Sequence, residues 1–220
     1  MMIFNRYTAK ALRQQRSLLA ALMIFAATLT TGFLSPANAQ TALEVKTMVT
    51  NFANRVLYIL ASDNSVSQQQ EQFGKVFLHN ANMAAISRFT LGKFARRIEP
   101  SESKQLQKLL SNYIIQLFVV KLRGTQSEGL EVTSMIENKK DTDYLVKSAI
   151  KIRKEPGFSD SPIPVKWRIK RNGEGALKLH DINIGGLWLA QEQRSSFVDL
   201  INSNNGRISS LLDYLKKETQ

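Results

Sequence analysis

At Gly124 the apolar residues change their spacing, and that change sets the class of fold open to the chain. Upstream, Val45, Val49, Phe52, Val56 and Ile59 recur at steps of four and three, the period of one helical face. Met48, Leu57 and Leu60 broaden that stripe. Phe73, Val76 and Phe77 mark a second, shorter helix over about 68–78, and a third helical piece covers about 84–97. Glu99-Pro100-Ser101-Glu102 reads as a helix start, with proline preset for the first turn and carboxylates at the positive end. That helix is expected to run to about Leu122 and stop at Gly124. Downstream the period is two. Val132, Ser134 and Ile136 alternate with polar neighbours. Tyr144, Val146, Ile150 and Ile152 oppose Lys147, Lys151 and Arg153, and Val165, Trp167 and Ile169 oppose Lys166, Arg168 and Lys170. Helices followed by hairpin-linked strands predict an α+β fold with an antiparallel sheet of about four strands.

The connections agree with that order. Glu155 to Pro164, with Pro156, Pro162 and Pro164, reads as a loop, and Asn172-Gly173 fits a tight hairpin turn. Leu177 and Leu179 lie on one parity of the last strand while Ile182 and Ile184 lie on the other. A one-residue slip of that kind is the signature of a bulge near His180-Asp181, which would bend the sheet. A curved sheet with helices against its concave face can enclose a cavity. Gly185-Gly186 ends the strand. Phe197, Val198 and Ile201 predict a helix over about 190–203, and Ile208, Leu211, Leu212 and Leu215 a final one after the Asn204-Asn205-Gly206 turn.

The first 39 residues have a different character. Arg6, Lys10, Arg13 and Arg16 precede an apolar run from Leu18 to about Leu34, and Ala37 and Ala39 supply a small-x-small site after Pro36. This is the layout of a secretory signal peptide cut after Ala39, leaving Gln40 to Gln220 as one domain exported to the periplasm. The run is interrupted by Thr28, Thr30, Thr31 and Gly32 and is short for the ~20 residues of a membrane span. The net charge of +12 would in a cytoplasmic chain suggest nucleic acid, but export sets that partner aside. An anionic lipid surface, an acidic protein or a simply basic surface remain.

No catalytic or metal constellation is legible. The chain has no cysteine, hence no disulfide, thiolate nucleophile or thiolate metal site. His79 and His180 lack a second ligand at metal spacing. There is no Gly-x-Ser-x-Gly elbow and no phosphate loop, and Gly173-Glu174-Gly175 is a hairpin turn with no helix after it. Asp141 and Asp143 sit beside Lys139 and Lys140 and read as a solvated turn, while Asp160 and Asp181 have no evident catalytic partner. No cofactor is expected. An acid–base enzyme would need a buried Asp or His facing a cavity.

One helix is unusual. Leu106, Leu109, Leu110, Tyr113, Leu117 and Val120 form a stripe, yet Ile114, Ile115, Phe118 and Val119 carry the apolar surface well beyond it. Such a helix is either central to a core or lines an apolar cavity on one side.

Ile86-Ser87-Arg88-Phe89-Thr90-Leu91-Gly92-Lys93-Phe94 resembles the aromatic-and-basic motif of the MlaC family, also called toluene-tolerance proteins. Val165-Lys166-Trp167-Arg168-Ile169, Leu177 to Gly186 and Arg194-Ser195-Ser196-Phe197 resemble the family's later strands and Arg-x-x-Phe helix in order and spacing. Ala95 and His180 stand where relatives more often carry aromatics. The resemblance implies a non-enzymatic periplasmic phospholipid carrier, an auxiliary component of a lipid ABC transporter that maintains outer-membrane lipid asymmetry. Its fold would be similar to a nuclear-transport-factor-2-like cone, and its partners an inner-membrane ABC transporter and an outer-membrane lipoprotein complex. A hopanoid-associated sister branch is the alternative cargo class.

The physical need is plain: at ~0.8 kcal/mol per methylene, two acyl chains of roughly 30 methylenes cost on the order of 24 kcal/mol to expose to water. On this resemblance the lipid pocket is expected at Phe89, Phe94, Tyr113, Ile114, Leu117, Phe118, Val146, Ile150, Trp167, Ile169 and Leu179. Arg88 and Arg168 are candidates for a head-group phosphate. Lys147, Lys151, Lys166 and Lys170 form a candidate docking face.

Overall fold

The computed structural model describes residues 36–137, 142–152 and 161–220. The signal-peptide reading of residues 1–35, Lys139, Lys140, Asp141, Arg153 and most of the proline-rich loop, Asp160 included, lie outside the described residues. The chain divides into two compact units, Met1–Gln40 and Thr41–Gln220, and the second carries the fold.

Among the described residues there are six helices and five strands, with helices before and after the sheet as the spacing predicts and β5 in addition. Helix α1 is Pro36–Ala61, α2 Val66–Asn80, α3 Met83–Thr90 and α4 Pro100–Leu122; β1 is Ser127–Glu137, β2 Asp143–Ile152, β3 Ile163–Arg171, β4 Leu177–Ile184 and β5 Leu187–Trp188; α5 is Leu189–Ser203 and α6 Ser209–Glu218. Pro36 stands at the first position of α1, where a missing N–H is no loss. Of the predicted α1 stripe, Val45, Val49, Phe52 and Ile59 are buried and Val56 is half-buried, with Leu60 buried beside them.

Local chemistry explains the helix ends. Ser65 accepts from Gln68 N at 3.3 Å while Gln68 Oε1 accepts from Ser65 N at 3.0 Å, a reciprocal cap on α2. Glu99 and Glu102 cap α4 in the same way, with Pro100 in its first turn. Gly124, with φ at +78°, ends α4 and donates its N–H to Leu60 O at 2.8 Å, which joins the ends of α1 and α4. Gln69, buried in α2, donates Nε2 to the carbonyls of Ile59 and Ser62 at 3.1 and 2.8 Å and so holds the same end of α1.

The third helical segment differs from expectation. It breaks into α3 and a 3-10 turn over Gly92–Arg96. Gly92 has φ at +54°, and a Cβ there would lie 2.9 Å from Val198 Cγ2. Only glycine permits both the conformation and the close approach of α5.

The sheet is antiparallel, curved and unclosed, in the order β1-β2-β3-β4-β5. The expected bulge is present: Arg168 pairs with Asp181 and Ile169 with Leu179, which leaves His180 as the extra residue. Two further shifts, at Ser127/Gly129 and Val132/Ser134, bend β1. The turn after β3 is wider than the tight turn expected. Asn172 N donates to Ala176 O, Gly175 N donates to Asn172 O, and Gly175 rather than Gly173 has positive φ. Gly185 and Gly186, at φ +59° and +99°, make the tight turn instead and lead into β5. Two residues show no period, which is why β5 is not legible as a strand. Pro164, assigned to the loop, lies within β3.

Candidate functional site

The two-residue alternation puts Tyr144, Val146, Ser148 and Ile150 of β2 beside Val165, Trp167 and Ile169 of β3 on the inner face of the sheet. Helices cover that face incompletely. Between them lies a cavity of about 1050 Å³, its open mouth included. The wall is almost wholly apolar. It is formed by Phe52, Val56, Leu57 and Leu60 of α1, Phe73 and Phe77 of α2, Tyr113, Ile114, Leu117, Phe118 and Leu122 of α4, and Ile150, Val165, Trp167, Leu179, Ile182 and Ile184 of the sheet.

Aromatic contacts brace this wall. Phe73 stacks on Phe118 and on Phe77, with centroids 5.6 Å apart in each pair, and Phe52 meets Trp167 edge-on at 5.9 Å. Trp167 Nε1 donates to Ser148 Oγ at 2.8 Å, and Ser148 Oγ donates to Val165 O at 3.2 Å, so the buried indole leaves no polar atom facing the cavity unpaired. Gly74 allows α2 to approach Ile115 of α4, whose Cδ1 would be 3.1 Å from a Cβ. Helix α4 therefore packs on one side and lines a cavity on another, the sharper of its two sequence readings.

Of the residues expected in a pocket, Tyr113, Ile114, Leu117, Phe118, Ile150, Trp167 and Leu179 meet in this wall. Phe89, Phe94, Val146 and Ile169 do not line it. The ring of Phe89 lies under the Arg194 guanidinium at 5.0 Å, and Arg194 Nη1 donates to Phe89 O at 3.4 Å. Phe94 is buried in the 3-10 turn, with Lys93 and Arg97 over its ring. Val146 and Ile169 are on the inner face but fully buried at the Tyr144 end, where side chains fill the core. The Phe89, Gly92 and Arg194 positions of the sequence motif thus pack α3 and the 3-10 turn against α5. Periodicity finds the α1, α2 and β4 wall residues as apolar, but cannot distinguish a cavity wall from a packed core.

The polar members of the wall are Thr90, His180, Asp181 and Gln193, all from α3, β4 and α5. Asp181 and His180 are thus an acid and an imidazole at a cavity, the placement an acid–base enzyme would need. Their partners are structural. Asp181 Oδ1 accepts from Ile182 N and Ala190 N, both at 2.8 Å, and so ties the start of α5 to the bulge. Burial pushes its carboxyl above the usual range, against the lowering effect of those N–H donors. His180 Nε2 lies 3.5 Å from Asn82 Nδ2, and burial first and Lys170 second push its imidazole below the usual value. His79 is exposed. Among the described residues no group of His, Asp and Glu could hold a metal ion, and no helix is long and apolar enough to cross a membrane.

The cationic candidates lie elsewhere. Arg88 is exposed on α3, outside the wall. Lys147, Lys151, Lys166 and Arg168 are exposed on the outer face of the sheet. Lys151 is paired with Glu131 at 2.8 Å and Lys170 with Asp143 at 2.9 Å.

Residues 50–217 match a family model described as MlaC protein. Among solved structures, the phospholipid-binding protein from Ralstonia solanacearum in complex with a phospholipid superposes with a TM-score of 0.66 at 22% identity, over 80% of this chain and 94% of that one. No curated protein matches the chain.

Proposed function

The chain belongs to the MlaC family, and from that membership we propose that it is a periplasmic phospholipid carrier. It holds acyl chains in the cavity beneath its sheet and moves lipid between an outer-membrane lipoprotein complex and an inner-membrane ABC transporter. The observation that carries this reading is the apolar cavity itself. A wall of Phe, Leu, Ile and Trp with few polar atoms is complementary to hydrocarbon and offers little to a polar substrate. The similar fold of a protein solved with a phospholipid supports the cargo class.

The proposal includes export by a signal peptide cut after Ala39. That cut would fall within the first turn of α1 and leave every cavity-lining residue of the helix in place. Tyr113, Ile114, Leu117, Phe118, Ile150, Trp167 and Leu179 are proposed to contact the tails. Binding rather than catalysis is the reading for Asp181, whose buried carboxylate oxygen is committed to backbone donors.

Native mass spectrometry of protein purified from a periplasm tests the proposal. Co-purified phospholipid is expected. A clean apo mass, with no lipid on extraction, would overturn it, and a hopanoid mass would reassign the cargo.

A further inference from the structure

We propose that the outer face of the sheet is a docking surface for an anionic phospholipid bilayer, with Lys147, Lys166 and Arg168 as its cationic centre. The proposal rests on the carrier reading only for the reason such a protein visits membranes.

The strand register carries the argument. Lys147 of β2 and Lys166 of β3 are direct cross-strand partners, and both are exposed. Like charges directly opposite in a sheet repel and destabilise it. On the same face the flanking lysines are neutralised, Lys151 by Glu131 and Lys170 by Asp143. Among the described residues Lys147 and Lys166 have no carboxylate partner. Arg168 follows on the same face beside its cross-strand neighbour Asp181, a buried carboxyl that it attracts and whose Oδ1 is also engaged by two backbone N–H groups, so the uncompensated pair is Lys147 and Lys166. The face thus neutralises its flanks and concentrates charge at its centre, an arrangement that an external anion stabilises.

The neighbours of this centre favour a bilayer over a protein. The Arg168 guanidinium lies 5.0 Å from the Trp188 ring, and Ile136, 52% exposed, pairs with Leu145 on the same face. Indole, aliphatic and basic groups together are the set that settles at the boundary between lipid head groups and acyl chains. Lysine, by contrast, is depleted at protein–protein interfaces.

Flotation of the purified protein with vesicles tests the proposal, using phosphatidylcholine alone and an equimolar mixture with phosphatidylglycerol. Partition into the anionic vesicles only is expected, and it should fall as salt rises. At about fivefold per cation, Lys147→Gln with Lys166→Gln should weaken it about 25-fold. Co-purified phospholipid should be unchanged in that variant, since neither residue lines the cavity. Absence of partition at low salt, equal partition into both vesicle types, or full partition by the double variant would each overturn the surface assignment. An acidic protein partner would then be the occupant. If the double variant does not fold, the salt dependence of the unmodified protein decides. Vesicle partition without co-purified lipid would count against the carrier reading alone.

Discussion

Replacing Ile114 with aspartate puts a carboxylate into the cavity wall without opening the core. Ile114 is half-buried on α4 and faces the cavity, whereas Leu106 and Val119 of α4 are buried in the core away from it. In the empty protein the new carboxylate can remain hydrated, because the cavity has room for several waters. The cost therefore falls on the loaded state. Cargo loses the apolar contact of one isoleucine, about 1.5–3 kcal/mol. It must also dehydrate or protonate the carboxylate, which adds about 1–3 kcal/mol or more. Together these weaken tail binding by on the order of 100-fold to 10,000-fold. The assay is the ratio of lipid-bound to free protein in native mass spectrometry, with circular dichroism and thermal unfolding on the same sample. A folded Ile114→Asp protein that keeps its full lipid complement would refute the assignment of α4 to the cavity wall. Ile150→Asp, on the opposite wall, should behave alike, and agreement between the two would show that both walls grip one ligand.

Further outcomes follow from the same geometry. Gly92→Ala should lower stability by about 1–3 kcal/mol in denaturant unfolding, because it combines a positive φ with a 2.9 Å approach to Val198; an unchanged midpoint would contradict the close packing of α3 and α5. Asp181→Ala removes the acceptor at the start of α5 and should cost about 0.5–2 kcal/mol, while Asp181→Asn keeps an acceptor and should lose less. Equal losses would argue against the capping role. Because burial raises the folded-state value of Asp181, its contribution to stability is fully present below 3.8 and is lost as pH rises through the folded value. Asp181→Asn should flatten that part of the unfolding profile. His180 has the opposite dependence. Its folded-state value is lowered by burial, so its contribution is present above 6.5 and is lost as pH falls below it. A His180→Gln protein should lose less stability than the parent between neutral and mildly acid pH, and parallel profiles would show that the imidazole is not titrating in a buried place.

Much of the architecture was legible because each element obeys a local rule that tertiary packing does not override. The α1 and α4 stripes, the Glu99-Pro100 start, the Gly124 stop and the parity slip at His180 all depend on neighbours within a few residues. What was hidden depends on contacts between distant segments. Whether Phe89 faces a ligand or a cation is decided by Arg194, and nothing in the spacing of the Phe89 motif announces that partner. Val146 and Ile150 share one strand parity, yet one is packed in the core and the other lines the cavity, because the helices cover the two ends of the sheet unequally. Asp181 carries no motif of its own. Its task became visible only once the Gly185-Gly186 turn brought Ala190 back to within 2.8 Å.

The most direct measurement is an experimental structure of the protein purified without added lipid. The account predicts elongated, branched density beside Trp167 and Phe118, with tail ends among the apolar side chains of α1 and α4. A closed interior, with those side chains meeting one another and no space for a chain, would contradict it.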